Sequence, residues 1–261
     1  MLMLKTLFLS LMVAAPSVLA QVQQQAAQQD LVEPVQQQEA TPTSSTSPTI
    51  APFTAKYSVL HKSKPVGTGI RQLKYLDNGF AEYSYKTEIE WLIFSDERHE
   101  TSVVKLDGNK VIPTRYTFTR EGTGKDKHYD WLYNVDENKA TNVRKKKVKD
   151  INFPENIQDK LSYHFQNRLN LIENPKQSHF VYPVVSTSGS IKNYVYQYDG
   201  EEDVMLPFGL VKAVRLKREV VDKKRVTYAW FAPELNYLLV KLYQVKGGVE
   251  QFEAQLTSIT E

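Results

Sequence analysis

The chain has 261 residues, 24% of them charged, a formal net charge of +3 and no cysteine. So mild a positive balance permits attraction to anionic lipid or polysaccharide without demanding it. The missing cysteines exclude a disulfide framework, a thiolate metal site and lipoprotein-type acylation.

Residues 1–20 read as a secretory signal peptide. Lys5 forms a short basic start, residues 7–15 (LFLSLMVAA) an apolar run, and Val18, Leu19 and Ala20 lead to a cut after Ala20. The run is shorter than the ~20 apolar residues that span a bilayer. No second apolar run is long enough to cross as a helix. Export without disulfides suits the bacterial periplasm, where nucleic acid is not an expected partner. Residues 21–50 are rich in Gln, then in Pro, Ser and Thr, with few large apolar side chains. They predict a disordered tether, or a segment that folds on a partner. Residues 51–261 predict one domain.

Within that domain turn signals recur at short spacing: Asp77-Asn78-Gly79, Asp107-Gly108, Gly122-Thr123-Gly124, Asp136-Glu137-Asn138, Asp199-Gly200 and Gly247-Gly248. Strand-length runs separate them. Tyr83, Tyr85, Thr87, Ile89 and Trp91 alternate with Glu82, Ser84, Lys86, Glu88 and Glu90, which gives one buried and one wet face. Tyr194, Tyr196 and Tyr198 repeat the alternation, as do Val226, Tyr228 and Trp230. Leu238 to Leu242 reads as covered on both faces. The fold class is therefore mainly β: an antiparallel meander curled into a barrel or strongly curved half-barrel.

One principal α-helix is expected at about 156–174, with Asn156 as N-cap and Asn174-Pro175 as the stop. At 100° per residue Ile157, Leu161, Phe165, Leu169 and Ile172 share one face, with Asp159, Tyr163, Gln166 and Asn170 opposite. His164 and Arg168 fall inside the apolar sector.

Several stretches together resemble a family of secreted bacterial proteins, domain of unknown function 3108, over nearly all of 53–256. They are Phe53-Thr54-Ala55-Lys56-Tyr57; Asp107-Gly108 with Ile112-Pro113-Thr114-Arg115-Tyr116; Asp130-Trp131; Gln158-Asp159-Lys160-Leu161-Ser162 running into Gln166-Asn167-Arg168; and Trp230-Phe231-Ala232-Pro233-Glu234 with Val240-Lys241. The family usually carries Pro where this chain has Leu239. The resemblance implies a β-rich envelope protein, similar in shape to the open half-barrels of lipoprotein carriers, and implies no activity.

Arg168 is the sharpest anomaly, because a buried guanidinium needs a carboxylate or several carbonyls. A core ion pair with Asp130 is one reading, and a head-group anchor at the floor of a cavity is the other. His164, Trp91, Trp131 and Tyr196 are candidate ligand contacts beside it, or core. The five histidines show no ligand spacing, so neither a metal nor a cofactor is expected. Glu88 with Glu90, and Glu97 with Glu100, read as solvated surface. No nucleophile elbow or phosphate loop occurs. The basic run 144–149 reads as a lysine-guarded edge strand or a site for anionic head groups. Three functions follow: a non-enzymatic domain binding an amphipathic envelope ligand (lipid, lipoprotein or glycan) or a partner protein; a hydrolase or transferase acting on envelope glycan or lipid through Asp130, His164 or Glu88/Glu90; or a structural or interaction protein without a ligand.

Overall fold

The computed structural model describes residues 50–261. The expected signal peptide, and the expected tether apart from Ile50, lie outside the described residues, as do the side chains of Asn78 and Trp91. Ile50 itself is buried, and its carbonyl accepts the Tyr75 hydroxyl at 2.7 Å.

Period-2 alternation makes the strands. In β1 (Phe53–His61) the odd residues Phe53, Ala55, Tyr57 and Val59 are buried. There follow β2 (Lys64–Tyr75), β3 (Phe80–Trp91), β4 (Phe94–Asp107), β5 (Lys110–Gly122), β6 (Lys127–Asn134), β7 (Lys139–Asn142) and β8 (Lys147–Asp150). After helix α1 (Ser162–Glu173) come β9 (His179–Val185), β10 (Ile191–Leu206), β11 (Gly209–Val220), β12 (Arg225–Ala232), β13 (Leu238–Lys246) and β14 (Val249–Thr260). All join one antiparallel sheet, in the order β8 to β1 and then β14 back to β9. First and last strands thus pair at its centre, and the two edges belong to the strands on either side of the helix. The sheet is open and curved: a half-barrel. Leu238, Leu239 and Val240 are all buried, as their unbroken apolar run anticipates. The basic run supplies the β7–β8 turn and the edge strand β8.

Close curvature needs one glycine in particular. A Cβ on Gly67 of β2 would stand 2.0 Å from the Glu88 carbonyl oxygen and 2.8 Å from Ile89 Cα. Both are backbone atoms of β3, so the strands would have to part. Gly67→Ala should cost about 3 kcal/mol, read as a lower urea midpoint at unchanged m-value.

The helix lies in the hollow. Leu161, Phe165 and Leu169 pack in one apolar cluster with Phe53, Tyr83, Val104 and Trp131, and Phe165 stacks on Tyr83 at 5.5 Å. Tyr163 and Leu171 pack in a second cluster with Phe180, Tyr182, Tyr196, Leu216 and Phe231. Because the sheet wraps the helix on two sides, Tyr163 and Gln166 are buried rather than wet. Near the C-terminal end Ile172, expected inside, is 43% exposed.

The helix is also shorter than 156–174. Asn156 has φ = 58°, outside the extended region an N-cap occupies. Gln158 forms a parallel bridge to Val184 of β9 instead. The cap falls to Asp159, whose Oδ1 accepts both the Leu161 and Ser162 amides at 2.7 Å, while Ser162 Oγ accepts the Asp159 amide at 2.8 Å. This reciprocal pairing resembles a capping box built one turn later than expected.

Candidate functional site

Arg168 does not meet Asp130. Successive side chains of a strand point to opposite faces, so Trp131 looks into the hollow and Asp130 looks out. There Asp130 takes a two-pronged pair from Arg115, Nε to Oδ1 at 3.1 Å and Nη2 to Oδ2 at 2.9 Å. Arg168 is held by backbone carbonyls: Nε donates to Asn236 O at 2.7 Å and Nη2 to Leu235 O at 3.0 Å, while Nη1 is buried without a hydrogen-bond partner among the described residues. Its guanidinium lies 4.9 Å from the Phe53 ring centroid. Burial lowers its pKa from the ordinary arginine value, and it remains charged. Arg168 therefore braces the helix to the turn after β12.

Two of the other predicted contacts are buried in the walls. Trp131 and Tyr196 are each 3% exposed, in the first and second cluster respectively. The Tyr196 hydroxyl lies 3.4 Å from that of Tyr163. Trp91 ends β3, with its side chain outside the described residues. His164 is half-buried, its ring 4.0 Å from that of Tyr163. Burial, helped by the charges of Arg71 and Arg218, holds its pKa well below the usual value and keeps it neutral. A second buried arginine went unforeseen. Arg71 of β2 donates to the Tyr83 hydroxyl at 2.9 Å and lies 5.2 Å from the Tyr85 ring centroid, with no carboxylate paired to it.

Three polar residues of the 158–168 stretch stitch it to the sheet. Gln158 exchanges backbone bonds with Pro183 and Val185 and donates its side chain to Val111 O at 2.8 Å. Gln166 accepts the Val111 amide and donates to Asn109 O, both at 2.8 Å. Asn167 accepts the Tyr182 hydroxyl at 2.7 Å. The helix is thus bolted to both arms of the half-barrel, and the interior is filled. The small hollow between Arg71, Tyr57, Tyr85 and Leu242 has about 10 Å³, room for one water.

A larger cleft lies where the helix leaves the concave face uncovered. Arg98, Glu100, Phe118, Arg120, Tyr129 and Lys160 line about 360 Å³, together with Lys127 and Thr187. Register builds it: Tyr129 faces Phe118, Phe118 faces Glu100, and Arg120 faces both Arg98 and Lys127 across adjacent strands. Lys160, on the strap before the helix, stands 5.7 Å over the Phe118 ring. Asp96 serves both arginines, with Oδ1 at 2.5 Å from Arg98 Nε and Oδ2 at 2.5 Å from Arg120 Nε. Burial alone would raise the Asp96 pKa, but the bonds and charges of the two arginines hold it below the carboxylate range. Glu100 accepts the Tyr116 hydroxyl at 3.1 Å, and burial raises its pKa. Glu100 is therefore not the solvated acid the sequence suggests: alternation along β4 turns Glu97 outward and Glu100 inward. The same alternation, followed through Arg98, Glu100 and Ser102, was the signal that could have found the cleft.

The cleft is cationic beyond its acids and has an aromatic floor. It can hold an anion of head-group size beside an apolar or ring-shaped moiety. The carboxylates proposed for hydrolysis do not converge. Glu88 is bridged to Lys86 at 2.6 Å on the outer face, Asp130 is tied to Arg115, and His164 touches neither.

Fold and site define an open antiparallel half-barrel filled by one helix, with a basic, aromatic cleft left at its end. Residues 81–253 match the family described as protein of unknown function (DUF3108), and the chain belongs to that family. No curated protein matches it. Among solved structures it is similar to a beta-barrel-like protein of domain of unknown function DUF1849 from Brucella abortus, at 11% identity and TM-score 0.53, over 80% of this chain and 97% of that one. That likeness shows the fold. An exported-protein candidate of YmcC-like fold from Bacteroides fragilis matches at 11% identity and TM-score 0.31, over 80% and 95% of the two chains.

Proposed function

We propose that this protein is a non-enzymatic binding domain of the bacterial envelope, and that its cleft holds the anionic group of an amphiphile. The observation that carries the reading is the cleft lining, in which Arg98, Arg120, Lys127 and Lys160 surround Phe118 and Tyr129. Phosphate and carboxylate share the chemistry these cations recognise, and the ring floor favours a sugar or alkyl chain beside it. The apolar run at 7–15 supports export, and no helix among the described residues is long and apolar enough to cross a membrane. The head-group role that was one of the two readings of Arg168 passes in this proposal to the cleft cations.

Dodecyl phosphate below its micelle concentration should bind with an affinity that falls as salt rises. Lys127→Ala and Lys160→Ala should each weaken it about fivefold to tenfold by calorimetry, since each removes a charge-assisted contact. Binding that ignores both variants would sink the cleft reading. Failure of dodecyl phosphate and dodecanoate alike to bind would favour an interaction protein without a ligand, the reading the filled interior also suits.

A further inference from the structure

An antiparallel meander sends every second turn to the same rim. Here the turns after β1, β3, β5, β7, β9, β11 and β13 share one rim, and those after the even strands share the other. The odd rim carries Lys62, Lys125, the run Arg144-Lys145-Lys146 and the pair Lys223-Lys224, against Asp126 and Asp222. Apart from the helix-bearing connection, the even-rim turns carry Asp77, Asp136, Glu137 and Glu234 and no base. The charge is split end to end.

The β3–β4 turn stands on the basic rim and breaks its pattern. Trp91 pairs with Phe94 in the ladder, leaving Leu92 and Ile93 as a two-residue turn. Leu92 is 85% exposed, Ile93 86% and Phe94 53%. Leu92 also has φ = 57°, a conformation that favours Gly or Asn at this place in a hairpin. Solubility and turn propensity therefore both argue against these residues. The tip is held firm: Thr123 N donates to Ser95 O at 2.8 Å, and Ser95 N to Thr123 Oγ1 at 3.1 Å. That bracing ties it to the β5–β6 turn, the turn that carries Lys125.

The geometry points to the odd rim as a docking surface for an anionic lipid bilayer, with Leu92, Ile93 and Phe94 seated among the acyl chains and the lysine turns on the head groups. An apolar tip on a rim whose turns are mostly basic matches a layer that is apolar within and anionic at its face, with the carboxylates of Glu88, Glu90, Glu97 and Glu121 set back from the tip along the strands. A second copy is the wrong occupant on charge, because two basic rims would repel. The apolar side chains Met205, Phe208 and Leu210 flank a turn of the other rim, and that turn itself carries no base. The docking surface goes beyond the cleft reading and does not need it, although Lys127 of the cleft begins β6 beside a turn of the same rim.

The test is flotation of the full chain with vesicles of phosphatidylethanolamine and phosphatidylglycerol, compared with phosphatidylcholine alone. Wild type should float with the anionic vesicles and far less with the neutral ones. Replacing Leu92 by Gly and Ile93 by Asn should cut partitioning about a hundredfold, since two large apolar side chains leave the bilayer. The same variant should melt at a higher temperature, because its turn suits the backbone better, so lost binding would not be lost folding. Lys145→Ser and Lys223→Ser should each reduce partitioning about fivefold at low salt. Absence of wild-type flotation, or a turn variant that floats as well as wild type, would overturn the proposal. So would a solution dimer that the turn variant dissolves. Dodecyl phosphate binding should survive the turn variant. If vesicles bind through the tip while dodecyl phosphate does not bind, the cleft reading falls and the docking surface stands.

Discussion

Asp159→Ala should destabilise the domain by about 4 kcal/mol. Asp159 is fully buried, and one carboxylate serves the Leu161 and Ser162 amides at 2.7 Å and the Ser102 hydroxyl at 2.5 Å. Alanine leaves all of these donors without an acceptor in a place water does not reach, and removes the helix cap with them. In a domain of this size the thermal midpoint should fall by about 10 °C. Asp159→Asn keeps an acceptor at Oδ1 and should cost about 1 kcal/mol. It also separates charge from geometry. Burial raises the Asp159 pKa, and the donors from Ser102, Ser162 and Leu161 limit the rise. The folded protein therefore holds this proton more tightly than the unfolded chain. Stability is fully present below the unfolded value of about 4 and is lost as pH climbs through the raised one. Glu100, raised by burial too, adds to the same slope. Asp159→Asn should flatten the fall in urea midpoint between pH 4 and neutrality. A slope unchanged from wild type would show that Asp159 does not titrate there.

What the sequence made legible was whatever depends on local period. The meander, the doubly covered strand at Leu238 to Val240 and the existence of one principal helix follow from alternation and turn chemistry. The helix boundary was misplaced because its start depends on a distant contact, the bridge between Gln158 and β9, which no local signal reports. The burial of Tyr163 and Gln166, which lie opposite the apolar face, was not legible for a related reason. A helical wheel tells which residues share a face, and not that a half-barrel will cover the opposite one. The partner of Arg168 was sought among acids because a charge invites a charge, whereas the turn after β12 offered two carbonyls. The cleft escaped because its cations come from three strands and the strap, and each alone resembles ordinary surface. Only the register of β4, β5 and β6 brings Arg98, Arg120 and Lys127 side by side.

Arg168 gives the second large effect, and the side chain chosen to replace it decides what is learned. Arg168→Ala should cost about 3 kcal/mol, combining two charge-assisted bonds to Leu235 and Asn236 with the packing of the guanidinium on Phe53. Arg168→Lys should recover less than half of that. A single ammonium cannot serve two carbonyls in the fixed fork of a guanidinium, and it is more costly to desolvate. Arg168→Met should fall near lysine, keeping the contact with Phe53 and stranding both carbonyls. The bonds brace a turn in which Asn236 and Tyr237 both adopt positive φ, 49° and 55°, so that turn should loosen first. Hydrogen exchange should therefore quicken at Asn236 and Tyr237, whose amides bond Pro233 O and Ala232 O, before it quickens in the sheet. Dodecyl phosphate affinity should stay at the wild-type value in folded Arg168→Met, because the cleft draws on other cations. Loss of that affinity with stability intact would return Arg168 to the role of head-group anchor.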